Sequence, residues 1–131
     1  MTRMRLLLIS NSTMAGEAYL EYPKYDIGAF LGPKRITALF LPFAGVTLQW
    51  DDYESRVKGR FNEIGHDVIS IHRFSDAAKA VNEAEAIVVG GGNTWHLLRC
   101  IHDLGLIEAL RNKVLSGTKY VGWSAGANVA C

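Results

Sequence analysis

Residues 119–128 read Lys-Tyr-Val-Gly-Trp-Ser-Ala-Gly-Ala-Asn, and the reading of this stretch decides the fold. A short apolar run, Tyr120 to Trp123, ends on a serine with glycine two residues away on either side. Gly122-Trp123-Ser124-Ala125-Gly126 is a G-x-S-x-G turn, the sharp junction that carries a strand into a helix and lifts a hydroxyl to its tip. The glycines let neighbouring chain approach closely. The same letters could be a small-residue turn without chemistry. The apolar run before them and the small helix-compatible residues after them favour a nucleophile, Ser124. The backbone amide of Ala125 is then a candidate donor to an oxyanion.

Further toward the N-terminus lie more short apolar runs: Leu6 to Ser10, Ile36 to Leu41, Val68 to His72 and Ala86 to Val89. Continuous apolar runs of this length suit strands buried on both faces. The segments between them, near 17–31, 51–64, 76–83, 94–103 and 107–115, carry apolar residues at helical spacing, as in Tyr53, Val57, Phe61 and Ile64. Gly32, Gly65 and Gly117 stand where helices are expected to stop. Strand and helix in alternation predict an α/β fold, a three-layer sandwich with a mostly parallel sheet and helices on both faces. No repeat or linker-like stretch divides residues 1–131, so one domain is expected. The chain stops within the helix that should follow Ser124, which reads as a domain incomplete at its C-terminus.

In such sheets ligands bind beyond the carboxyl ends of the strands. That edge gathers Asn11-Ser12-Thr13, Pro42-Phe43-Ala44-Gly45, Gly90-Gly91-Gly92-Asn93 and the serine turn. The glycine-rich turn does not match the dinucleotide fingerprint, because Trp95 stands where a glycine is needed, and no Walker sequence is present. It is either a plain tight turn or a source of exposed amides, and the amide of Gly92 is the candidate second oxyanion donor.

Composition excludes several classes. Hydrophobic residues make up 49% and charged residues 21%, with a formal net charge of +1, so neither a nucleic-acid nor a membrane partner is expected. The two cysteines, Cys100 and Cys131, have no metal-type spacing, and a reducing, cytoplasmic setting is expected. The apolar run after Arg5 is too short for a signal-peptide core, and the Asn11-Ser12-Thr13 sequon then has no consequence. No cofactor or metal site is expected, since His96 and His102 are not at the i, i+4 spacing of paired ligands. Each of His66, His72, His96 and His102 reads as structural or solvent-facing, with His96 the nearest candidate for a base. Adjacent Asp51 and Asp52 diverge by about 100° on a helix and read as a helix N-terminus rather than an acid pair. Trp50 and Tyr53 read as packing or rim residues, Trp50 also as a residue for a subunit interface.

Taken together, LLLISNST (6–13), LFLPFAGVTLQWDDY (39–53), IVVGGGNTWHLL (87–98) and YVGWSAGAN (120–128) resemble the peptidase E, or aspartyl dipeptidase, family of serine peptidases. The segment from Pro42 through Tyr53 is the specific part, and the resemblance covers essentially the whole chain. It implies a sheet like that of class I glutamine amidotransferases and hydrolysis of dipeptides with N-terminal aspartate. By position it implies Ser124 as nucleophile, Gly92 and Ala125 as oxyanion-hole amides, and Asn93 as a residue that helps hold the substrate. The family's catalytic histidine, its acidic partner and its substrate-binding arginine lie C-terminal to the serine turn, beyond this sequence. The expected partner is therefore a small dipeptide. A non-catalytic short form that binds acidic peptides or pairs with a longer homologue is the alternative. A nucleotide-binding domain is a third reading, resting on the glycine turn. A hydrophobic sheet edge left open would favour a homodimer.

Overall fold

The computed structural model describes residues 4–9, 23–46 and 48–130. Five strands, β1 (Arg5–Ile9), β2 (Thr37–Leu41), β3 (Asp67–Ser70), β4 (Ala86–Val89) and β5 (Lys119–Trp123), form one sheet in the order β1-β5-β4-β2-β3. Every described pairing is parallel, so the mostly parallel sheet read from the sequence is parallel throughout these strands. The central strands β2, β4 and β5 are nearly all apolar because both of their faces are covered.

The pleat sends alternate residues to opposite sides. Ala38, Phe40, Ala86, Val88, Val121 and Trp123 meet α1 (Lys24–Leu31) and α2 (Trp50–Glu63) on one side. Leu39, Leu41, Ile87, Val89 and Tyr120 face α3 (Ala77–Glu83), α4 (Thr94–Asp103), α5 (Ile107–Leu115) and the short α6 (Ala125–Asn128) on the other. These are the two cores of the expected three-layer sandwich. Gly32, Gly65 and Gly117 take φ of 94°, 83° and 98° directly after helices, the left-handed stop that glycine tolerates best.

His66 is buried and works as a staple. Its Nδ1 accepts from the Ile36 amide at 3.2 Å and its Nε2 donates to the Gly32 carbonyl at 2.9 Å, tying the end of α1 to the entry of β2.

One sequence expectation lies partly outside the described residues and one changes. The helix read over 17–31 is described only as α1, because residues 17–22 lie outside the described residues, as do Ser10 and the segment 11–13. The third strand stops at Ser70, so His72 does not end it. Ile71–Arg73 form a 3-10 turn instead. The Ser70 amide is taken by Glu54 Oε2 at 2.6 Å, a side-chain acceptor from α2 that draws the chain out of the ladder.

Candidate active site

Ser124 follows β5 at φ 55°, ψ −113°, and it is the one non-glycine residue at positive φ among the described residues. Such a conformation costs on the order of 1–3 kcal/mol and persists only where its surroundings impose it. Here they do. The Ser124 amide donates to Ile9 O at 2.8 Å, and its carbonyl accepts from the amides of Ala127 and Asn128, both at 3.0 Å. A Cβ on Gly126 would lie 2.1 Å from Val89 O, and one on Gly122 would lie 2.6 Å from Gly126 O. Buried Tyr120 donates its hydroxyl to Gly126 O at 2.6 Å, which fixes the carbonyl that Gly122 crowds. The serine side chain is left half-buried at the carboxyl end of the sheet.

The glycine turn after β4 lies against this elbow. A Cβ on Gly91 would lie 2.8 Å from Ser124 Cβ, so only glycine permits the approach. The turn is pinned at three points: Gly90 N–H to Leu41 O at 3.3 Å, Asn93 N–H to Ala44 O at 2.8 Å, and Tyr53 O–H to Gly91 O at 2.9 Å. Among the described residues the amides of Gly92 and Ala125 meet no acceptor. The side chain of Asn93 caps α4, its Oδ1 accepting from the His96 amide at 2.9 Å.

Ser124, Gly91, Gly92 and Asn93 line a cleft of about 490 Å³, and Tyr53 and Arg56 of α2 line it with them. Arg56 is the only charged side chain among the described residues lining it. The serine and the glycine turn are legible in the sequence because each is a local motif, and the structure brings them together. That Arg56 and the Tyr53 hydroxyl border the same cleft depends on how α2 docks. Their signal was present only as i, i+3 spacing, which puts both on one helix face.

A second cleft of about 700 Å³ adjoins the first across Gly45 and Leu48, and Trp50, Asp51, His72 and His96 line it. Here Asp51 does more than start a helix. His72 Nε2–H donates to its Oδ1 at 2.6 Å, Arg73 Nη2 lies 3.2 Å away, and His72 Nδ1 accepts the Ser70 hydroxyl. The His72 hydrogen bond, helped by the weaker pull of the Arg73 charge, holds the Asp51 carboxyl below the ordinary range against the opposing effect of desolvation. Serine, histidine and aspartate thus stand in the order of a catalytic relay, but Ser70 is wholly buried and cannot reach a substrate. Beside it, burial pushes the Glu54 carboxyl up, while hydrogen bonds from Arg73 and the Ser70 amide outweigh that and hold it low.

No histidine lines the Ser124 cleft. His96 Nδ1–H donates to Phe43 O at 2.6 Å in the neighbouring cleft, and His102 is exposed near the end of α4. Among the described residues no cluster of metal-ligating side chains occurs, and no helix is long and apolar enough to cross a membrane.

The sequence matches the model of Peptidase family S51 over residues 6–131. The chain belongs to family S51. It is 48% identical over 127 residues to a peptidase E of Nostoc sp. and 45% identical over 128 residues to one of Salmonella typhimurium. These alignments take in 97% and 98% of this chain but 52% and 56% of the relatives, so the chain spans about half their length. Two solved structures share the fold seen here. A putative peptidase E from Listeria monocytogenes has a TM-score of 0.71 at 23% identity, covering 95% of this chain and 61% of its own. A peptidase from an acI-B1 Actinobacterium has a TM-score of 0.72 at 18% identity, covering 95% and 55%. The S51 match includes both the serine elbow and the glycine turn.

Proposed function

We propose that this chain carries the nucleophile and oxyanion hole of a cytoplasmic serine dipeptidase acting on Asp-X dipeptides. One arrangement supports the reading: Ser124 on a strained elbow, with the unengaged amides of Gly92 and Ala125 in or beside the same cleft. Ser124 Oγ attacks the scissile carbonyl carbon while its proton passes to a base. The carbonyl oxygen, now negative, takes hydrogen bonds from Gly92 and Ala125. The C–N bond breaks, the amine leaves with the proton, and water hydrolyses the acyl-serine to release aspartate. The base and its acidic partner come from outside the residues lining this cleft. Asn93, at the cleft's edge and anchored by its cap, holds the substrate through its remaining Nδ2–H₂.

Acidic substrates fit the charge of the cleft, because Arg56 is the one charged side chain among the described residues that line it. The test is hydrolysis of Asp-Leu by the full-length protein, with Ser124→Ala beside it. Serine-dependent release of leucine is expected. Equal rates in the two proteins would remove Ser124 as nucleophile, and hydrolysis of neutral but not acidic dipeptides would remove the specificity.

A further inference from the structure

Tyr53 lies in the wall of the Ser124 cleft, and its ring is almost wholly buried. The ring meets Phe40 edge-on, centroids 5.0 Å apart and planes at 81°. Two glycines make room for it. A Cβ on Gly45 would lie 2.7 Å from Tyr53 Cδ2, and one on Gly90 would lie 2.4 Å from the hydroxyl. The phenol is thus clasped between the loop after β2 and the glycine turn after β4, and its O–H reaches Gly91 O at 2.9 Å.

The carbonyl it holds and the Gly92 amide belong to one peptide unit. No described peptide bond is cis, and in a trans unit the C=O and N–H point in opposite directions. Drawing Gly91 O toward Tyr53 therefore turns Gly92 N–H away from Tyr53. A Gly–Gly unit has little conformational preference of its own, so this plane needs an external hold. The neighbouring bonds, Gly90 N–H to Leu41 O and Asn93 N–H to Ala44 O, fix the ends of the turn and leave this middle plane to Tyr53. A donor on the carbonyl also polarises the unit and strengthens its N–H as a donor.

We infer that Tyr53 is a positioning residue: its hydroxyl sets the plane of the Gly91–Gly92 peptide so that the Gly92 amide serves the oxyanion. The inference rests on the reading of Ser124 as nucleophile and Gly92 as donor, and the experiment keeps the two apart. In full-length protein, Tyr53→Phe retains the ring packing and loses only the hydroxyl. With one hydrogen bond removed from the transition-state machinery, kcat for Asp-Leu falls about tenfold while KM moves less than about twofold. The Gly92 amide resonance in a ¹⁵N–¹H spectrum shifts or broadens. A difluorotyrosine at position 53, whose phenol loses its proton nearer neutrality, restores kcat at low pH and loses it as that phenol ionises. A merely structural tyrosine would give no such pH profile.

Unchanged kcat in Tyr53→Phe, with Ser124→Ala inactive, overturns the inference and leaves the nucleophile standing. Activity that survives Ser124→Ala overturns the nucleophile instead. A Gly92 resonance that does not move in Tyr53→Phe overturns the inference whether or not turnover can be measured.

Discussion

At Ser124 the backbone sits at φ 55° because β4, β5 and α6 meet there with no spare volume. Gly126 is the tightest point, where an added Cβ would strike Val89 O, an atom of the sheet backbone that cannot swing aside. Gly126→Ala is therefore expected to cost about 3 kcal/mol and to lower the melting temperature by about 10 °C. Thermal unfolding at the wild-type midpoint would show that the elbow has more room than its contacts imply. Arg56 makes a different kind of claim, about charge rather than shape. A charge-assisted hydrogen bond to a substrate carboxylate is worth about 1.5–3 kcal/mol. Arg56→Ala should then raise KM for Asp-Leu roughly tenfold or more, with little change for the neutral Asn-Leu. Steady-state kinetics on the two dipeptides decide it, and an equal rise for both would mean that Arg56 only shapes the cleft.

Elements carry these residues, and each junction has its own chemistry. Asn93 both caps α4 and borders the cleft, so two substitutions can separate its duties. Asn93→Asp keeps the capping oxygen and hence the stability, while losing the Nδ2 donor and about tenfold in kcat/KM for Asp-Leu. Asn93→Ala loses about 1 kcal/mol in addition. Denaturant melts read beside kinetics expose either duty as absent. The α2–β3 junction responds to acid. Glu54 receives Arg73 Nη2 at 2.6 Å and the Ser70 amide at 2.6 Å, and its folded carboxyl ionises below the ordinary value of about 4.3. The unfolded chain binds that proton first as pH falls, so this stabilisation is complete above about pH 5 and is lost as pH drops through the folded value. Glu54→Gln should flatten the acid limb of stability between about pH 5 and pH 3, as read by urea unfolding. Asp67, lowered by Lys58 and the Val68 amide against its own burial, leaves a residual slope. The same junction explains what the sequence conceals. Apolar runs located every strand, because burial on both faces writes itself into composition. Val68 to His72 was over-extended because the acceptor that ends β3 belongs to Glu54, sixteen residues earlier. Ser124 and Gly92 were legible as local motifs, whereas Tyr53 and Arg56 depend on the docking of α2, which no local pattern encodes.

For the whole molecule the open question is the base. All four histidines of the chain lie among the described residues, and each is placed elsewhere. His66 uses both ring nitrogens on backbone groups, His72 bridges Ser70 and Asp51, His96 is held on Phe43 O, and His102 is on the outer surface of α4. A serine hydroxyl without a base is a poor nucleophile, and an oxyanion hole with binding alone leaves only a small part of the rate. The relatives are about twice as long as this chain, and β1, the sheet edge nearest the elbow, carries exposed Leu8, with exposed Met4 just before it, beside a groove lined by Leu6, Leu98 and Val129. A chimera joining residues 1–131 to the remaining part of the Nostoc peptidase E, 48% identical over the shared part, tests where the base resides. The chimera should hydrolyse Asp-Leu and lose that activity with Ser124→Ala, while residues 1–131 alone should fold and show no serine-dependent turnover. Turnover by the isolated chain that disappears with both Ser124→Ala and His96→Ala would place the base on α4, and the separation of nucleophile from base argued here would be wrong.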